Sequence, residues 1–80
     1  MFYVYLIRSL SFPDQTYVGI TEDLKKRLET HNSGGSIHTA KYKPWKLIVY
    51  IGFTNETKAR QFEKYLKSGS GRAFAKKRLW

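Results

Sequence analysis

From Phe2 to Arg8 the chain alternates Phe2, Val4 and Leu6 with Tyr3, Tyr5 and Ile7. With the period of two that a strand imposes, both faces are largely apolar, so this strand belongs at the centre of its sheet or under cover on both sides. Tyr3 and Tyr5 share a face. In an 80-residue chain a single core stabilises by only about 3–5 kcal/mol, so one small domain, residues 1–80, has to supply the flanking strands and the covering helices itself.

The rest of the chain provides them in order. Ser11-Phe12-Pro13-Asp14 reads as a turn, and Gln15 to Ile20 as a second strand paired antiparallel with the first. In that strand Tyr17 and Gly19 share one face, and Gly19 leaves room for something to lie close to the sheet beside Tyr17. Thr21 is the expected N-cap of a helix from Glu22 to His31 whose stripe is Leu24 and Leu28; Arg27 and His31, four apart, lie together at the margin of that stripe. Asn32 to Lys43 is a polar, glycine-bearing loop, long enough to suggest a functional part. Pro44 to Phe53 is the third strand. Thr54-Asn55-Glu56-Thr57 caps a second helix running to Lys67, with Ala59, Phe62 and Leu66 buried and Glu63 beside them, aimed toward the sheet edge. Ser68-Gly69-Ser70-Gly71 should end it, and a last helix from Arg72 to Leu79, started at Ser70, should lay Phe74 and Trp80 on the core. The expected class is α+β, a three-stranded antiparallel sheet flanked by helices.

Charge narrows the function. Fifteen Lys and Arg against six Asp and Glu leave a net +9, an excess that attracts a polyanion and favours nucleic acid over a merely solvated surface. Asp14 sits in a turn and Glu22, Asp23 and Glu56 in first helical turns, where carboxylates suit the backbone; Glu29 and Glu63 have no such local reason. The chain has no cysteine, which excludes a disulfide framework and a thiolate zinc site. The apolar N-terminal run is short, lacks a basic leader and cleavage site, and meets Arg8 at once, so it is read as a strand rather than a signal peptide or membrane span. A cytoplasmic location, nucleoid association included, and no membrane partner are expected.

Tyr3-Val4-Tyr5 and Tyr17-Val18-Gly19, with eleven residues between Tyr5 and Tyr17, resemble the two strand triplets of the GIY-YIG nuclease superfamily. The likeness runs through the chain and is nearest to the small stand-alone branch, related to the N-terminal nuclease domain found in excision nucleases and to structure-specific nucleases. Tyr3 replaces the glycine of the first triplet and valine replaces both isoleucines. Arg27 stands ten residues beyond Tyr17, His31-Asn32 closes the helix, and Glu63 lies within Phe62-Glu63-Lys64-Tyr65-Leu66-Lys67-Ser68-Gly69-Ser70-Gly71-Arg72.

The resemblance implies an endonuclease that hydrolyses phosphodiester bonds with one divalent ion, Mg2+ or Mn2+, held by Glu63 and completed by water and substrate phosphate. Arg27 and His31 would hydrogen-bond the scissile phosphate. By the same resemblance Tyr5 would activate the attacking water, with Tyr17 positioning it or relaying its proton. A phenol of pKa near 10 is ionised in about one copy per thousand at neutral pH, a cost of about 4 kcal/mol unless neighbours such as Arg27 and the metal lower it. Singly, Tyr5 and Tyr17 also read as cross-strand aromatics, Arg27 and Glu63 as an interhelix ion pair, and His31 as a polar helix end; together they point to one site. Lys25, Lys26, His38, Thr39, Lys41, Lys43, Lys46, Arg72, Lys76, Lys77 and Arg78 are the expected phosphate contacts, salt-sensitive and reading shape rather than base sequence. DNA is expected in preference to RNA, in repair or processing, with the protein a monomer or homodimer. The alternative is a nucleic-acid-binding module of the same fold with little or partner-dependent cleavage. A basic structural protein of a ribonucleoprotein would explain the charge but not the five-residue set.

Overall fold

The computed structural model describes residues 1–80. In chain order the elements are β1 (Phe2–Ser9), β2 (Thr16–Thr21), α1 (Leu24–Ser33), α2 (Ile37–Ala40), β3 (Trp45–Phe53), α3 (Glu56–Lys67) and α4 (Gly69–Arg78). The sheet order is β2-β1-β3, antiparallel on both sides of β1, so the strand with two apolar faces is the central one. On one face Val4 and Leu6 are buried with Ala59, Leu66 and Ala75 of α3 and α4. On the other, Tyr5 and Ile7 pack with Trp45, and Tyr17, Leu24 and Leu28 close over them. The β1–β2 register sets Tyr5 opposite Gly19, the pairing on which the site depends. No helix is long and apolar enough to cross a membrane.

Several local expectations are corrected. Thr21 ends β2, paired with Tyr3, and α1 is capped by Asp23, whose carboxylate accepts the Lys26 N–H at 3.0 Å; the ladder holds Thr21 extended, so the helix starts later. It ends at Gly34, whose φ of 83° is the left-handed conformation that favours glycine. The loop from Asn32 to Lys43 contains α2. The Asn32 side chain receives the Trp45 N–H and donates to the Trp45 carbonyl, and the Trp45 indole N–H donates to the Thr39 carbonyl at 2.8 Å; these bonds fold the loop back under the sheet. The last helix begins at Gly69, capped by Ser68 rather than Ser70, and Ser68 is also the C-cap of α3. The glycine run is thus no linker: a Cβ on Gly71 would lie 1.7 Å from the Tyr65 carbonyl oxygen, so α4 can leave α3 this tightly only with glycine there. Phe74 is 39% exposed and Ala75 takes the buried position, because the earlier start turns Phe74 outward, toward Tyr65.

Candidate active site

Four elements build the cluster around the Tyr5 phenol, and α1 alone bonds its oxygen. From α1, His31 sets Nε2 2.8 Å from Tyr5 Oη, and Arg27 Nε–H donates to the same oxygen at 3.3 Å. From β2, Gly19 lies so close that a Cβ there would be 2.3 Å from Tyr5 Oη; the space that glycine leaves beside Tyr17 is filled by the protein's own phenol. The Tyr17 ring stands 5.3 Å from the His31 ring and 6.5 Å from that of Tyr5. From α2, Thr39 Oγ1 lies 2.6 Å from His31 Nδ1. From α3, Lys67 Nζ reaches Glu63 at 2.5 Å and sits 5.5 Å from the centre of the Tyr17 ring.

Burial governs the protonation of this cluster. Tyr5 is 2% exposed and its pKa is raised: loss of hydration outweighs the hydrogen bond and charge of Arg27, and Tyr17 and Glu63 push it further up. Arg27 does lower this phenol, as expected, but in the protein alone burial more than cancels its effect. Arg27 is held above its ordinary range chiefly by its bond to Tyr5. His31 is wholly buried, and burial first, then the Arg27 charge, lowers its pKa, so its imidazole is neutral at pH 7. Both ring nitrogens are engaged in either tautomer: Tyr5 O–H donates to Nε2 while Nδ1–H donates to Thr39, or both donations reverse.

Two of the expected site residues face inward in this geometry. His31, expected at the scissile phosphate, is enclosed here, with its two nitrogens bonded to Tyr5 and Thr39. Thr39, expected as a phosphate contact, is 1% exposed and turned to His31. No spacing in the sequence links Thr39 to His31, because their meeting depends on how α2 folds back. Lys25, Lys26, His38, Lys41, Lys43, Lys46, Arg72, Lys76, Lys77 and Arg78 are all exposed. Of these, Arg72 and Lys76 line a cleft that reaches Tyr17. Lys67, absent from the sequence-based set, is legible there only as the residue four beyond Glu63.

No group of three or more His, Cys, Asp or Glu gathers anywhere, which excludes a fully protein-ligated transition-metal cage. A lone carboxylate such as Glu63, with its side chain 19% exposed, fits a hard, mostly hydrated cation completed by phosphate oxygens. Lys67 would have to yield the carboxylate to it.

A family model described as the GIY-YIG catalytic domain matches residues 1–78. Over 65 residues the chain is 45% identical to the structure-specific endonuclease subunit slx1 of Talaromyces marneffei, covering 74% of this chain and 17% of that protein. It is 40% identical over 71 residues to the corresponding protein of Candida dubliniensis, covering 80% and 25%. A UPF0213 protein of Lactococcus lactis subsp. cremoris is 45% identical over 60 residues, covering 72% of this chain and 61% of that protein. The chain thus spans a quarter or less of the length of these two endonuclease subunits.

Proposed function

The chain belongs to the GIY-YIG family, and on that premise we propose that it is a divalent-metal-dependent endonuclease hydrolysing phosphodiester bonds of DNA, selective for structure rather than base sequence, in DNA repair or processing. The observation that carries this reading is the convergence of Tyr5, Tyr17, Arg27 and His31 with Glu63 in a domain of net charge +9. A plain aromatic core has no use for an arginine bonded to a buried phenol or for a neutral, doubly bonded histidine beneath it. The names of the fungal relatives, structure-specific endonuclease subunits, point the same way.

In this reading water attacks phosphorus, the bond to the leaving oxygen breaks, and the leaving oxygen is protonated. Tyr17 has the more open ring and, as its phenolate, takes the proton of the attacking water, while the leaving oxygen takes a proton from solvent, to which Tyr17 later returns its own. Tyr5, enclosed by His31, Arg27 and Gly19, positions the Arg27 guanidinium, whose charge Tyr17 also favours. These roles exchange those that the resemblance gave the two tyrosines, for a reason of access. Arg27 meets the negative charge that builds on the phosphoryl oxygens. Glu63 would hold Mg2+ or Mn2+, which supplies a Lewis acid for a phosphoryl oxygen and acidifies bound water. His31 and Thr39 hold the phenol in register.

The second reading, a binding module whose cleavage depends on a partner, is favoured by one observation: Lys67 occupies the Glu63 carboxylate. Labelled single-stranded, duplex, flapped and RNA substrates in Mg2+ or Mn2+ separate the two. Scission by the wild type, lost in Glu63→Ala with binding retained, is the expected result. Tight binding with no scission above the Glu63→Ala background would give the lead to the binding module.

A further inference from the structure

Beyond the tyrosine cluster a cleft of about 710 Å³ runs between the β1–β2 hairpin and the α3–α4 pair. Tyr17 and Lys67 stand in its wall beside Arg8, Arg72, Lys76 and Trp80, and Asp14 is the sole acid among its lining residues. Arg8 is the unusual member. Its guanidinium carbon lies 5.3 Å over the Trp80 ring, and its Nε is buried with no hydrogen-bond partner. A buried cationic donor without an acceptor is costly. That Nε is closed to solvent, so what Arg8 offers a ligand is the charge of a guanidinium in the cleft lining.

The lining specifies that ligand. Four cations against one carboxylate call for several negative charges, and a partly buried indole among them calls for a flat ring. A nucleic-acid strand with its bases unpaired has both, phosphates for the cations and a π-face for the indole. The volume falls among clefts that hold one compact molecule, about 300–1,000 Å³, which suits a short run of single strand and not a duplex. Lys67 ties the cleft to the candidate active site, since the same ammonium touches Glu63 and the Tyr17 ring.

We propose that this cleft is a single-strand site, in which Arg8, Lys67, Arg72 and Lys76 take successive phosphates and Trp80 stacks on a base, feeding the strand to Tyr17. The proposal rests on the nuclease reading for its direction, though not for the binding itself. It also gives Lys67 its destination when it leaves Glu63: the phosphate next to the scissile one.

The test is fluorescence anisotropy of labelled oligonucleotides, single-stranded and duplex of one sequence, with the full chain in EDTA so that nothing is cut. Trp80→Ala should weaken single-strand binding by about tenfold and leave duplex binding within about twofold. Because Trp80 also packs on the core, the doubly substituted R72Q/K76Q, whose two side chains are exposed, serves as the variant that leaves the core packing unchanged. It should lower the salt slope of single-strand binding by about 1.4, at about 0.7 for each phosphate left without its cation. Equal losses for single strand and duplex, or none in either variant, would overturn the cleft. Cleavage in Mg2+ is scored separately: a protein that binds single strands through Trp80 yet never cuts retires the nuclease reading and keeps the cleft, whereas one that cuts with unchanged KM in both variants retires the cleft and keeps the nuclease.

Discussion

His31 Nε2 lies 2.8 Å from Tyr5 Oη, and the two residues are 0% and 2% exposed. An imidazole with a lowered pKa and a phenol with a raised one therefore share a buried bond whose surroundings favour the neutral form of each. Folding linkage sets its limits. The unfolded histidine protonates near pH 6.5 and the folded one lower, so stability present above about pH 6.5 is lost as pH falls below it. The unfolded tyrosine ionises near pH 10 and the folded one higher, so stability present below about pH 10 is lost as pH rises above it. Thermal unfolding across pH should show a plateau between those values, with a shallower alkaline limb in Tyr5→Phe and a shallower acid limb in His31→Gln. Superimposable limbs in wild type and variants would contradict it.

Thr39 should matter through His31. Thr39→Val keeps the volume and removes the hydroxyl, leaving a buried imidazole nitrogen unpaired at a cost of about 1–3 kcal/mol. Chemical denaturation should report that loss, and kcat should fall with KM little changed, because no substrate contact goes with it. Thr39→Ser should restore both.

Gly19→Ala would set a methyl against the Tyr5 ring, whose Oη is 2.3 Å from the new Cβ position. A phenol fixed by His31 and Arg27 has little freedom to yield, and overpacking of this kind costs about 1–3 kcal/mol. The double variant Gly19→Ala/Tyr5→Phe should lose less than the sum of the two single losses, measured by denaturation, since one clash and one bond set share an atom.

The two tyrosines should part company in kinetics. Tyr17→Phe is expected to lower kcat by about 10²–10⁴ and to flatten the pH–rate profile, whereas Tyr5→Phe should act mainly on stability and on Arg27. Arg27→Ala should lower kcat by about 10²–10³, and Arg27→Lys should recover little of it, because only the guanidinium fork serves phenol and phosphate together. Equal pH–rate profiles for Tyr17→Phe and wild type would return the proton-accepting role to Tyr5.

Lys67→Met removes the cation that holds Glu63. With its side chain 47% exposed, the change in stability should stay within about 0.5 kcal/mol. Mn2+ titration of the free protein should show tighter binding in Lys67→Met than in wild type, and none above background in Glu63→Ala. Unchanged affinity in Lys67→Met would mean that the ion pair does not compete with the metal.

What the chain reveals by itself is whatever local periodicity encodes. The two apolar faces of Phe2 to Ile7 require a central strand, Leu24 and Leu28 require a helix lying on it, and the family resemblance, rather than periodicity, singles out Tyr17, Arg27 and Glu63 on three of the surrounding elements. The strand and the helix follow from side-chain period and hydrophobic burial, which act within a few residues. Tertiary structure decided the rest, because the deciding forces join residues far apart in the chain. That the space beside Gly19 is filled by Tyr5 follows from strand register. That Tyr5 is harder to ionise despite Arg27 follows from burial, which no sequence spacing measures. Thr39 meets His31 because Asn32 and Trp45 fold its helix back under the sheet. Arg8 and Trp80, at opposite ends of the chain, meet only because α4 returns along the hairpin.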